Sequence, residues 1–452
     1  TRFQSTRKRS AYWPRHPLAG LESGTFSLEA SVGIEIRDTA DGYAFDVPGG
    51  IVVEIERLGE ESGGLTGEIT IADHNGLGTR LLHSARLNLM STQSRNSLVK
   101  SLEKACEGVK WYQVLEEICF LAKETYRNGN PLINIGHLPP SEKPRWMIYP
   151  FIEEAGSSIM FGDGSAGKSI LAAALCIAAA SGESILGKTV CRATNVCYLD
   201  WEACAESHDE RIKALCKPLD LAIPNNIFYR REYAPLCESA PNLRRELVNR
   251  KIGLVILDSL GAACDGAPEK SDVTTRLYNA VRSFGIPWFG IHHITKSNGA
   301  EGGATKPFGS VYGHNLARLT WGVEATQEEG EDKKGLTLTN HKANNGRIEH
   351  KRTYRVQFYN DGEDEDQRTT GIEIKQCDVD EFPDLLKRRP IHERIVAALK
   401  SGHKSYISIS EITGIPVDSL NMPMTRLKKD GIVEKIPGLA PVEFGLITRR
   451  RQ

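Results

Sequence analysis

The segment Gly162-Asp163-Gly164-Ser165-Ala166-Gly167-Lys168-Ser169 restricts this chain more than any other. Its glycines let the backbone curl until amide N–H groups converge on one point, which makes a cradle for an anion. Ile159-Met160-Phe161 before it reads as a buried strand, and the apolar run from Ile170 to Ala180 reads as a buried helix. A helix that starts there offers the positive end of its dipole to the same anion. Residues Gly162 through Ile170 are therefore candidate contacts to a nucleoside triphosphate. Lys168 reaches for the β and γ phosphates, and the Ser169 hydroxyl holds magnesium. ATP and Mg2+ are the expected ligands.

That chemistry needs further groups from other strand ends. In Leu254-Val255-Ile256-Leu257-Asp258-Ser259 four apolar residues of a buried strand lead into Asp258, the expected second magnesium ligand. Val196-Cys197-Tyr198-Leu199-Asp200-Trp201-Glu202 is another buried strand, and it ends in two acids. Glu202 is the expected base for the attacking water, with Asp200 as the alternative. Phe289-Gly290-Ile291-His292-His293 ends a further strand just before a glycine-rich loop, which makes His293 a candidate γ-phosphate sensor. No other ligands stand at metal spacing beside it, so a zinc site is not expected.

Four apolar stretches, Ser158 to Phe161, Asn195 to Leu199, Gly253 to Leu257 and Trp288 to His292, are separated by helical stretches. Alternation of that kind predicts an α/β fold with a mainly parallel sheet covered on both faces. Leu336 to Thr339 and Tyr354 to Phe358 add two strands further on. At 452 residues the chain exceeds one ordinary core. We divide it into an N-terminal α+β domain at 1–137, the α/β domain at 138–360, an acidic linker at 361–385 and a small module at 386–452.

In the first domain, Ile51 to Ile55 and Gly67 to Ile71 flank a glycine-rich turn as a hairpin, and Ser94 to Ala105 and Trp111 to Tyr126 read as helices. Residues 1–17 carry Arg2, Arg7, Lys8, Arg9 and Arg15, as either a disordered tail or an arm for nucleic acid phosphates. The formal net charge is −1, so any nucleic acid contact must be a local patch. Ten scattered cysteines without a CxxC pair favour free thiols in a reducing compartment. The run from Ile170 to Ala180 is too short for a bilayer, and the start lacks a signal-peptide core, so the expectation is a cytoplasmic protein that does not engage a membrane.

The order of phosphate loop, strand with Glu202, strand with Asp258 and strand with His292-His293 resembles the RecA-like ATPases. Within them it is most similar to the RepA-type hexameric replicative helicases of plasmids and other mobile elements. Tyr198-Leu199-Asp200-Trp201-Glu202, Leu257-Asp258-Ser259 and Ile291-His292-His293-Ile294-Thr295-Lys296 carry the likeness over roughly 145–360. The resemblance implies a homo-oligomeric ring, a hexamer, with ATP between subunits and a cationic finger supplied by the neighbour. Gly309 to Arg318 is similar to the RepA-type segment bearing an interface arginine, which makes Arg318 a candidate. Asn340 to Gly346 looks like the Lys-x-Arg-x-Gly finger of DnaB-like helicases. Lys342 fits that pattern, but Asn344 stands where it has arginine, which shifts weight to Arg318.

The resemblance also implies DNA, single-stranded in the ring channel, gripped by loops at 261–275 and 296–312. Lys296 and Lys306 in the second loop suit phosphate contact without base reading. The last module resembles a winged helix: Ser408 to Thr413 as its second helix and Asp418 to Lys429 as its recognition helix. Arg426, Lys428, Lys429 and the tail Arg449-Arg450-Arg451 supply phosphate-facing charge. Pro423 inside that helix removes a hydrogen bond and is expected to kink it. DNA contact and protein docking both stay open for the module. An ATP-driven DNA helicase or translocase is the first functional expectation. A non-unwinding DNA-binding ATPase, acting as a loader, regulator or recombination mediator, is the second.

Overall fold

The computed structural model describes residues 33–39, 41–61, 63–75, 78–129, 132–140, 145–187, 192–294, 311–362, 368–438 and 441–447. The basic N-terminal segment, Lys296, Lys306 and Arg449 to Arg451 lie outside the described residues. The chain falls into two compact units.

The first unit opens with an antiparallel sheet of β1 (Glu35–Asp38), β2 (Gly42–Val47), β3 (Ile51–Glu61), β4 (Gly64–Asp73) and β5 (Arg80–Asn88) in sequential order. The expected hairpin is β3–β4. Along β3 the residues Ile51, Val53 and Ile55 alternate inward, as a sheet with one covered face requires. Helices α1 (Thr92–Ala105) and α2 (Trp111–Asn128) supply Leu102, Trp111, Val114 and Ile118 to that core. Ser91 caps α1 by accepting the Ser94 N–H.

The second unit holds a short hairpin, β6 (Trp146–Ile148) and β7 (Ile152–Glu153), and then the α/β core. Its elements run β8 (Ser157–Gly162), α3 (Lys168–Ser181), β9 (Asn195–Asp200), α4 (Ala205–Cys216) and β10 (Ile227–Arg231). Helix α5 (Leu236–Asn249) follows; its residues 238–249 group with the first unit. The core continues with β11 (Ile252–Asp258), α6 (Ser271–Arg282), β12 (Trp288–His293), α7 (Val311–Leu316) and β13 (Leu319–Thr326). Three antiparallel strands close it: β14 (Lys333–Ala343), β15 (Arg352–Asp361) and β16 (Arg368–Cys377).

The sheet order is β10-β9-β11-β12-β8-β13-β14-β15-β16, parallel from β10 to β13 and antiparallel beyond. Helix α3 is buried along Leu171 to Ala180 because its alanines let neighbours approach closely on every side. Strand β16, at one end of the sheet, packs on α4 near the other, so the sheet bends round α3.

The span expected as an acidic linker, 361–385, is not one. It contains β16, whose Ile372 and Ile374 alternate into the main core, and then α8 (Pro383–Lys387). Most of the acidic run, 363–367, lies outside the described residues.

The last residues form α9 (Ile391–Lys400), β17 (Lys404–Ser405), α10 (Tyr406–Thr413), α11 (Val417–Lys429), β18 (Val433–Ile436) and β19 (Glu443–Leu446). Three helices close over Ile395, Ile409, Leu420, Met424 and Phe444, and β18–β19 is an antiparallel hairpin extended by β17. Helix α11 runs through Pro423 as one element from Val417 to Lys429. No helix among the described residues is long and apolar enough to cross a membrane. No disulfide joins the described cysteines.

Candidate nucleotide-binding site

The glycine-rich loop leaves the C-terminal end of β8 and enters α3 at Gly167, whose φ of 81° lies in the left-handed region. Ser165 at the tip also has positive φ, 59°, a conformation that an L side chain adopts at a cost. Asp163 steadies the turn: its side chain accepts the Gly164 N–H at 2.9 Å and its carbonyl the Ala166 N–H at 3.2 Å. Lys168, almost fully buried, folds back over the loop and donates to the carbonyls of Gly162 at 3.1 Å and Asp163 at 2.6 Å. Burial holds its ammonium below the usual range, while the charges of Asp258, Asp163 and Glu202 pull the other way.

Strands β9 and β11 end level, with Asp258 beside Asp200; β12 runs two residues further, with His293 beside Gly162 at the end of β8, so these strand ends gather round the loop. Three of the expected groups therefore meet Lys168. The Asp258 carboxylate accepts hydrogen bonds from the Tyr198 hydroxyl, at 2.8 Å, and from Ser169. Burial raises the Asp258 carboxyl above its usual range; those two hydrogen bonds oppose the rise, and the nearby charges of Glu202 and Asp200 add to it. His293 lies between two partners, its Nδ1 3.5 Å from Lys168 Nζ and its Nε2 3.5 Å from Glu202 Oε1. Glu202 is half exposed and accepts the Ser259 Oγ–H at 2.5 Å.

Asp200 differs in kind from Glu202. It is fully buried and accepts the backbone N–H of Glu202 at 2.8 Å, that of Ala203 at 3.0 Å and the Tyr229 hydroxyl at 3.1 Å. His208 Nε2 stands 3.0 Å from its Oδ2. Burial pushes its carboxyl up, yet these hydrogen bonds win and hold it at about 2. Its lone pairs are committed to the protein.

The donor set fits a magnesium–triphosphate. Ser169 and Asp258 are hard oxygen donors that already touch, and Lys168 is a buried cation that donates to its own loop carbonyls and lies 3.5 Å from His293. Among the described residues no cluster of three or more His, Cys, Asp or Glu side chains is arranged for a metal.

Arg318 and Lys342 are brought together, but not at this site. Strand β13 runs parallel to β8 with Leu319 beside Ser158 and Val323 beside Gly162. Arg318 precedes β13, so it sits where β8 begins, roughly 16 Å of strand away from the loop. Its backbone N–H donates to the Ser157 carbonyl at 2.9 Å. Lys342 Nζ donates to the Asn315 carbonyl at 2.8 Å; burial first, then the Arg318 charge, lowers its proton affinity. Arg426, Lys428 and Lys429 are exposed on the last turn of α11, with Lys428 Nζ 5.1 Å from the Phe444 ring centre.

Sequence reasoning missed three residues here. Ser259 and Tyr198 stand within the motifs but were given no role; they act on the site's acids through their hydroxyls. Lys334, near the start of β14, donates to the Ser165 carbonyl at 3.0 Å, and burial lowers its proton affinity. Only the antiparallel return of β14 past the loop brings it there, as does Leu336, 3.3 Å from where a side chain on Gly167 would begin.

Residues 133–299 match the family described as AAA domain. Among solved structures, a KaiC-like protein from the hyperthermophilic archaeon Pyrococcus horikoshii aligns over 51% of this chain and 93% of its own, at 12% identity and a TM-score of 0.35. No curated protein matches the chain in sequence. With its phosphate loop between β8 and α3, and β12 separating β8 from the strand that ends in Asp258, the α/β core has a RecA-like P-loop fold.

Proposed function

We propose that this chain is an ATP-dependent DNA helicase or translocase of the RepA-like hexameric type, hydrolysing ATP where subunits meet and gripping single-stranded DNA. One observation carries the hydrolytic part: the half-exposed Glu202 carboxylate stands on the same side of the sheet as Lys168, linked to it through His293. Glu202 takes a proton from water as the water oxygen attacks the γ phosphorus, and the bond to the β–γ bridging oxygen breaks to leave ADP. Lys168 releases its loop carbonyls to meet the β and γ phosphates. His293 reports the γ-phosphate to Glu202. Ser169 and Asp258 would hold Mg2+, which when bound neutralises phosphate charge.

Arg318 and Lys342 support the oligomeric part. They form a cationic pair that cannot reach the loop of their own chain, as expected of fingers directed at a neighbour's nucleotide. For DNA, the support is charge on suitable elements: Lys296 and Lys306 after β12, and Arg426, Lys428 and Lys429 on α11. We read the last module as a winged helix, in which α11 is the recognition helix and β18–β19 the wing. A forked duplex tests the proposal. ATP-dependent release of one strand is expected; ATP turnover stimulated by DNA with no strand released sinks it.

That second outcome describes the other reading, a DNA-binding ATPase that switches assembly state without unwinding. Asn344 in place of the finger arginine is the observation that favours it.

A further inference from the structure

The hydrolytic reading gives Tyr198 no task, yet its buried hydroxyl donates to Asp258 Oδ2 at 2.8 Å. Tyr198 lies on β9 opposite Ile256 of β11, and Asp200 lies opposite Asp258. Residues two apart share a face of a strand, so the tyrosine reaches diagonally along that face to the carboxylate at the strand tip. Its ring is itself fixed. The His208 imidazole lies against it with centroids 4.4 Å apart, and Asp200 holds His208 at 3.0 Å. One buried chain of contacts therefore runs from Asp258 through Tyr198, by a ring contact to His208, and on through Asp200 to the backbone N–H of Glu202.

We propose that Tyr198 is a positioning residue for the metal side of the nucleotide site: by engaging Oδ2 it fixes the rotation of the Asp258 carboxylate and leaves Oδ1 to serve the cation. A carboxylate tied at one oxygen by a rigid, fully buried donor loses less freedom when a metal arrives, and outer partners of this kind change metal affinity about 10- to 100-fold. Ser169 alone cannot supply that restraint, because its hydroxyl is wanted for the same cation.

The inference rests on the nucleotide-site reading, and its test separates the two. Tyr198→Phe keeps the ring and removes one oxygen. Full-length wild type and variant are titrated with a fluorescent ATP analogue, with and without Mg2+, and a thermal midpoint is recorded for each. We expect metal-free nucleotide affinity within about twofold of wild type and a Mg2+ requirement raised about tenfold. In an Asp258→Asn background the same substitution is expected to shift the Mg2+ requirement no further. If wild type binds no nucleotide with Mg2+, the site reading itself fails. If wild type binds but Tyr198→Phe needs no more Mg2+, the positioning role alone is overturned. Equal losses with and without Mg2+, or equal shifts in both backgrounds, also overturn it, because they mark general packing.

Discussion

The Asp200 carboxylate accepts the backbone N–H of Glu202 at 2.8 Å, so one acid at the end of β9 holds the other in place. The two neighbours divide the labour by burial: Asp200 is sealed and saturated, Glu202 half exposed beside His293. Glu202→Gln is expected to bind ATP normally and to hydrolyse it at least about 100-fold more slowly. Asp200→Asn is expected to act on folding, lowering stability by about 2–3 kcal/mol as charged hydrogen bonds are lost. Phosphate release and denaturant titration check both; a larger catalytic than structural loss in Asp200→Asn would reverse the assignment.

Lys168 is expected to be indispensable. With no other described lysine donating to the Gly162 and Asp163 carbonyls, Lys168→Ala leaves the β and γ phosphates without their ammonium. Turnover should fall at least about 100-fold. Undiminished phosphate release would remove the loop from the mechanism.

Arg318 is expected to work on a neighbour's nucleotide. Arg318→Ala should bind ATP and lose about 1,000-fold in turnover. Mixing it with Lys168→Ala subunits should restore part of the activity, since each defect then falls at a different interface. Mixtures no more active than their components would argue against action in trans.

His292 gives the fold a dependence on pH. Burial, with the charges of His293 and Lys168, holds its imidazole at about 4, below the ordinary 6.5. The folded protein keeps it neutral, while the unfolded chain takes up a proton below about 6.5. Stability therefore falls as pH drops through that window, by about 2 kcal/mol between pH 7 and pH 5. His292→Asn, whose amide can still donate to the His293 carbonyl, should flatten that slope in urea titrations; an unchanged slope counts against a neutral buried imidazole.

The site's acids were legible because each ends a run of apolar residues, and a strand end in a parallel sheet is where such groups converge. Asp258 and Glu202 carry that signal in the chain itself. Tyr198 does not, since a tyrosine within a buried strand looks like core until the facing strand's register is known. Lys334 depends on an antiparallel return that no local pattern announces. The strand β10 escaped notice because Ile227 to Arg231 is half exposed throughout and offers no alternation. Likewise β16 was hidden behind the acidic run that precedes it in the sequence, although Ile372 and Ile374 keep a period of two.

Strand β14 carries Lys334, against the phosphate loop, near one end and Lys342, beside Arg318, near the other. It is hydrogen-bonded to β13 and β15, and spans about 30 Å if fully extended. Such a girder does not bend easily. A substitution that slid β14 along β13 would carry Lys334 and Lys342 together, because both belong to one hydrogen-bonded strand.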